Sequence, residues 1–217
     1  MRNGAIIAVI ALVLLAPAFP ASENTQDVSV LITGFVPFDK WEVNPSQLIA
    51  EELNGEEIGN AHIIGMVLPV DFNESFEMVK KAMHTYEPSV VIALGLDGYS
   101  RFICIEKIGV NLKREEGWQL SRIEKDGPFL YFSSIPTGDI TQEIRGAGIP
   151  ARQSFFAGIY ACNFILYRLM DYIHEQHLNI SAGFIHVPPL SSQTPYGMEL
   201  RTMVEAVRIA ITESMKH

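Results

Sequence analysis

An α/β sandwich built on a largely parallel central sheet is the fold class predicted by this chain of 217 residues. Two patterns point there. Short β-branched runs alternate with segments of helical periodicity, the order that gives strands joined by crossover helices. Some runs are apolar at every position, such as Val90-Val91-Ile92-Ala93-Leu94, which suits a strand buried on both faces of a sheet.

The elements follow in order. Val28 to Thr33 is β-rich and stops at Gly34. Pro45 to Leu53 reads as helix, with Asn44 as N-cap and Pro45 in the first turn. Ile63 to Leu68 is a strand ended by Pro69. Asp71 to Tyr86 has helical spacing and ends before Pro88. Ser89 to Leu94 is the buried strand, stopped by Gly95. Ile103 to Leu112 reads as one strand, and Lys113 to Gly127 as loop. Thr137 to Arg145 is a short helix closed by Gly146 and Gly148, and Ala151 to Phe155 is strand-like. Gly158 to His174 is a long apolar helix, Ala182 to Val187 a strand ended by Pro188-Pro189, and Met198 to Met215 an amphipathic helix.

Composition excludes several functions. Sixteen basic residues against 25 acidic ones give a net charge of −9. No basic stripe exists for a phosphate backbone, so nucleic acid is not an expected partner, and an anionic membrane surface is disfavoured. Hydrophobic content of 48% excludes a disordered chain. Two cysteines, Cys104 and Cys162, exclude a disulfide-rich scaffold.

The N-terminus reads as a targeting segment. Met1-Arg2-Asn3-Gly4 is weakly basic, Ala5 to Ala16 is apolar, and Pro17-Ala18 leads into a polar stretch. That is the order of a secretory signal peptide, and the run is shorter than the roughly 20 residues a membrane-spanning helix needs. Residues 1–21 are therefore expected to be a signal peptide or a retained N-terminal anchor. Residues 22–217 are expected to be a single α/β domain with no further membrane span. The expected location is outside the cell or in its envelope.

Sites in open α/β sheets lie outside the carboxyl ends of the strands. His186 stands there, at the end of Gly183-Phe184-Ile185-His186. Cys162 lies near the start of a helix, where free amides and the helix dipole stabilise a thiolate. Glu106 interrupts an apolar strand run, which costs free energy unless it has a partner such as an imidazolium. Each has an ordinary alternative: a core histidine, a buried small hydrophobe, a solvated strand face. Together, thiol, imidazole and carboxylate are the parts of a cysteine-hydrolase triad.

Rival motifs are weak. Gly146-Ala147-Gly148-Ile149-Pro150-Ala151 follows a helix and precedes a strand, the reverse of a dinucleotide-binding fingerprint. His174-Glu175-Gln176-His177 is one residue short of the zinc-binding H-E-x-x-H pattern. No metal and no cofactor are expected.

Ordered landmarks run along the chain. Leu31-Ile32-Thr33-Gly34-Phe35-Val36-Pro37-Phe38 is followed by Asn44-Pro45-Ser46, Leu68-Pro69-Val70 and Gly95-Leu96. Then come Ile105-Glu106-Lys107-Ile108-Gly109-Val110-Asn111, Ala157-Gly158-Ile159-Tyr160-Ala161-Cys162-Asn163 and Gly183-Phe184-Ile185-His186-Val187-Pro188. In these segments the chain resembles the pyroglutamyl peptidase I family, the pyrrolidone carboxyl peptidases, which are cysteine peptidases. The resemblance covers nearly everything from Val28 to the C-terminal helix. It implies a three-layer α/β/α sandwich with a mixed, largely parallel, twisted sheet of the phosphorylase/hydrolase-like type. It implies Cys162 as nucleophile, His186 as base and Glu106 as the carboxylate orienting it. Phe35, Phe38, Asn44, the Leu96 backbone and Tyr160 match positions that bind substrate in that family. The implied partner is a peptide with an N-terminal pyroglutamate, and the implied assembly a homo-oligomer, dimer or tetramer.

The chain also departs from the family. After Asn111 it runs Leu112-Lys113-Arg114-Glu115-Glu116-Gly117-Trp118, shorter than the family's loop, with Arg114 as candidate for that loop's arginine. The turn Asp97-Gly98-Tyr99-Ser100-Arg101 is also altered. Three readings result: an exported pyroglutamyl peptidase working through a thioester, a secreted non-catalytic peptide-binding protein on the same fold, or a related thiol amidase with another small lactam or amide substrate. Cys104 and Glu106 should share a strand face, so Cys104 should come near Cys162, and whether the two pair in a disulfide that would abolish nucleophilicity is left open.

Overall fold

The computed structural model describes residues 28–114 and 119–216; the segment expected to be a signal peptide lies outside them. Strand β1 (Val28–Phe35) leads through a loop into helix α1 (Pro45–Leu53). The short β2 (Glu57–Ile58) and β3 (Ala61–Leu68) precede α2 (Phe72–Tyr86) and β4 (Val90–Leu96). Next come β5 (Ile103–Glu106), β6 (Ile108–Val110), β7 (Lys113–Arg114), β8 (Leu120–Ser121) and β9 (Leu130–Phe132). Helix α3 (Thr137–Gly146), β10 (Ala151–Ser154), α4 (Ala161–Glu175), β11 (Ser181–Val187) and α5 (Leu200–Ser214) complete the chain.

Seven strands form the central sheet in the order β10-β5-β11-β4-β1-β3-β2. The core pairs β3–β1–β4–β11 are parallel, whereas β5 runs antiparallel to β11. Continuous apolar strands arise because both faces are covered. Val30 and Ile32 of β1 pack with α1, α3 and α5, whereas Leu31 and Phe35 pack with α2 and α4. The result is three layers with two cores, as the alternation of elements predicts.

The caps match the sequence. Asn44 Oδ1 accepts from the Ser46 amide at 3.0 Å at the start of α1, and Asp71 Oδ1 accepts from the Glu74 amide at 2.8 Å at the start of α2. Such caps satisfy amides that lack a partner within the helix.

Three local expectations need correction. Residues 103–112 are not one strand: the chain breaks at Lys107, and β6 leaves the central sheet to pair with β9. The Lys107 amide donates to Ser154 O and its carbonyl accepts from the Ser133 amide, so the break is fixed on both sides. Residues 113–127 are not all loop, because β7 and β8 pair. The long helix starts at Ala161 rather than Gly158, since Gly158 has φ +83°, outside the right-handed helical region.

Candidate active site

The site is assembled where β4 and β11 end and α4 begins. Cys162 is the second residue of α4, so its amide and those of Ala161 and Asn163 belong to the first turn and have no carbonyl four residues back to bond. Asn163 pins this turn. Its side chain accepts from the Val110 amide at 2.9 Å and donates to Val110 O at 2.9 Å and Leu112 O at 2.8 Å. The amide side chain is completely buried and its bonding capacity is used on Val110 of β6 and on Leu112, two residues beyond it.

His186 lies on β11, opposite Gly95 of β4 on one side and Cys104 of β5 on the other. Its Nδ1 donates to Glu106 Oε1 at 2.8 Å, and the Cys162 thiol lies close enough to act on the imidazole's charge. The Phe184 ring sits beneath it, centroids 4.8 Å apart. Glu106 is almost fully buried. Antiparallel pairing places it opposite Phe184, so its carboxylate reaches the imidazole diagonally across two strands.

Burial alone would lower the His186 pKa. Cys162, and then the hydrogen bond to Glu106 and its charge, outweigh that effect and hold the pKa well above the ordinary 6.5. The imidazolium is thus the favoured form. Gly95 makes room for this pair: a Cβ there would lie 2.8 Å from Cys162 Sγ and 2.7 Å from the Phe184 ring.

The thiol and the imidazole border a cleft of about 960 Å³. Cys162 and His186 line it together with Phe35, Phe38, Leu96 and Tyr160, so six of the eight residues singled out from the sequence converge on one space. Glu106 stands behind His186. Asn44 is the exception. It is 1% exposed and lies outside the cleft lining, and its amide is committed to Ser46 and to Val36 O. It shapes the opening loop from behind.

Some lining residues carried no sequence signal of their own. Trp41, Phe72 and Tyr99 also line the cleft, and a Cβ on Gly98 would stand 2.5 Å from the Trp41 ring. The segment after Asn111 does reach the site: Arg114 Nη1 donates to Tyr160 Oη at 3.1 Å, and its backbone amide donates to Ile159 O at 2.8 Å.

The open question of a disulfide is answered in this structure. Cys104 and Cys162 are both free. Cys104 accepts a hydrogen bond from Arg152 Nε at 3.2 Å and lies 3.5 Å from Ser100 Oγ. The two thiols face different partners although Cys104 is directly across from His186 in the sheet. Among the described residues no cluster suits a metal ion, and no helix is long and apolar enough to cross a membrane.

A thiol beside an imidazole that is hydrogen-bonded to a carboxylate, at the carboxyl ends of parallel strands, defines the class of cysteine hydrolases. Comparison with known proteins narrows the class. A sequence model of the pyroglutamyl peptidase family matches residues 28–217. The pyrrolidone-carboxylate peptidase of Halalkalibacterium halodurans is 34% identical over 196 residues, covering 85% of this chain and 98% of that protein. The Bacillus subtilis pyrrolidone-carboxylate peptidase is 36% identical over 199 residues, covering 87% and 93%. The solved structure of pyrrolidone carboxyl peptidase from Thermococcus litoralis superposes with a TM-score of 0.83 at 32% identity, covering 87% of this chain and 94% of that one. The chain belongs to the pyroglutamyl peptidase family of cysteine-type hydrolases.

Proposed function

We propose that this enzyme removes an N-terminal pyroglutamyl residue from peptides, with Cys162 as nucleophile, His186 as general base and acid, and Glu106 as the carboxylate that orients the imidazole. The observation that carries this reading is the buried hydrogen bond between His186 and Glu106 with the Cys162 thiol beside the imidazole, at an aromatic-lined cleft. A lactam ring is neutral and has no free amine, so it offers no charge for an aminopeptidase-type anchor. Phe35, Phe38 and Tyr160 supply ring surface, which suits a small, flat, mostly apolar group.

In the proposed reaction the Cys162 thiol proton resides on His186 and the thiolate attacks the pyroglutamyl carbonyl carbon. The developing oxyanion meets first-turn amides of α4. His186 passes its proton to the departing amine, leaving a thioester. A water then gives a proton to His186 and attacks the thioester, which releases pyroglutamate and restores the thiol.

The test is release of a fluorophore from a pyroglutamyl amide. Wild-type protein should turn over repeatedly and lose activity on thiol alkylation, and Cys162→Ser should lose roughly three or more orders of magnitude in kcat. Unchanged turnover in Cys162→Ser overturns the assignment. Binding of pyroglutamyl peptides without turnover would favour a non-catalytic role, and turnover confined to other lactams or amides a related amidase.

A further inference from the structure

The proposed reaction fixes where the leaving half of the substrate lies. A five-membered lactam occupies a small part of the cleft of about 960 Å³, a volume typical of sites for drug-sized ligands. The residue after the scissile bond belongs beside His186, because the imidazole must reach the departing nitrogen to protonate it. The turn that follows β4 starts there. Its Asp97 amide donates at 2.9 Å to the carbonyl of Val187, the residue next to His186.

This turn is braced, and it carries an open ring. The Ser100 amide donates to Asp97 O at 3.1 Å, and the Tyr99 amide donates to Asp97 Oδ1 at 3.1 Å. Tyr196 Oη donates to Gly98 O at 3.0 Å. Gly98 also packs against Trp41, closely enough to exclude any side chain. Tyr99 is nevertheless 83% exposed while it lines the cleft. The other rings there are more covered: Phe35 is 2% exposed, Trp41 9% and Tyr160 54%. Lys40 Nζ lies 5.3 Å from the ring centroids of both Trp41 and Tyr99, so one ammonium group is shared by the two rings and helps to hold Tyr99 in place.

Resting on the reading above, we infer that Tyr99 sets specificity on the leaving side, and that the enzyme prefers peptides in which an aromatic residue follows the pyroglutamyl group. A tyrosine fixed in advance offers a large flat surface at little further cost in entropy. An aromatic side chain laid against it gains ring–ring attraction beyond the area it buries.

Charge does not set this preference. Asp39, Asp71 and Asp97 line the cleft. Against them stand Lys40, Lys113 at 5.7 Å from the Phe72 ring centroid and Arg114 at 5.6 Å from that of Tyr160, with the positive N-terminal ends of α2 and α4. A charged side chain meets both signs at this mouth, whereas stacking on Tyr99 requires neither.

The experiment measures kcat/KM of the full chain for pyroglutamyl-phenylalanyl and pyroglutamyl-alanyl peptides of equal length. The value for the phenylalanyl peptide should be higher by roughly three- to tenfold. Tyr99→Ala should bring the ratio close to one, mainly through the KM of the phenylalanyl peptide. Tyr99→Phe keeps the ring and should keep the ratio. A ratio taken within one protein cancels any difference in folded fraction. Equal values in the wild type, a preference for the alanyl peptide, a ratio that survives Tyr99→Ala, or one that is lost in Tyr99→Phe overturns the inference while leaving the pyroglutamyl reading intact. Failure to cleave either peptide overturns both.

Discussion

At the residue scale, Glu106 acts on His186 through one hydrogen bond of 2.8 Å between two buried groups. The carboxylate holds the imidazole in place and favours its protonated form. Removing that negative charge must lower the His186 pKa. The alkaline limb of kcat/KM, where the imidazolium loses its proton, is therefore expected well above 6.5 in the wild type. Glu106→Gln should shift that limb toward acid and reduce kcat by roughly 10- to 1000-fold. A pH–rate profile for both proteins checks the shift, and an unmoved limb would mean that Glu106 does not govern the base. Stability follows the same sign. A pKa raised by folding gives stabilisation that is fully present below the unfolded value of about 6.5 and lost as pH rises through the folded value. Much of this was legible in the sequence, because a carboxylate in an apolar strand and a histidine at a strand end are both unusual. Trp41 was not legible, and Tyr99 only as part of the altered turn 97–101: an aromatic residue in a loop looks the same whether it packs inward or lines a cleft.

At the element scale, the start of α4 decides where the sulfur points. Gly158 leaves the helical region, Tyr160 is the extended N-cap, and Cys162 follows in the first turn. The turn is tied to β6 by three hydrogen bonds from Asn163. Asn163→Ala should remove the side-chain partner of the buried Val110 amide and one partner each of Val110 O and Leu112 O, a loss of about 1–3 kcal/mol. It should also cut kcat, because a misplacement of about 1 Å can cost roughly 100-fold. Denaturant unfolding and steady-state rates measure the two effects, and a variant with wild-type stability would refute the tie. The sequence placed the helix three residues too early because its apolar periodicity continues backwards through Ile159. Only the backbone conformation at Gly158 marks the true start. The break at Lys107 was hidden for a related reason, since β5 and β6 are apolar alike and the change of sheet is written in pairing partners far along the chain.

At the scale of the whole molecule, the apolar run of residues 5–16 carries a proposal about location. We propose that the enzyme is exported and that cleavage falls near Ala18 or Ala21. N-terminal sequencing of the protein recovered outside the cytoplasm should start just after one of these alanines. A protein that keeps Met1 and fractionates with the cytoplasm would disprove export. The α/β class, the two-sided burial of β4 and the cap at Asn44 were determined by the sequence, because spacing and residue type act locally, and Cys162, His186 and Glu106 were candidates there. The tertiary structure alone decided that β5 turns antiparallel beside β11, which carries Glu106 to His186. It likewise decided that Gly95 leaves space for the thiol, that Cys104 faces Arg152 and not Cys162, and that Asn44 works behind the cleft. Each of these depends on which strands become neighbours and in what register, a choice made by the packing of the whole chain.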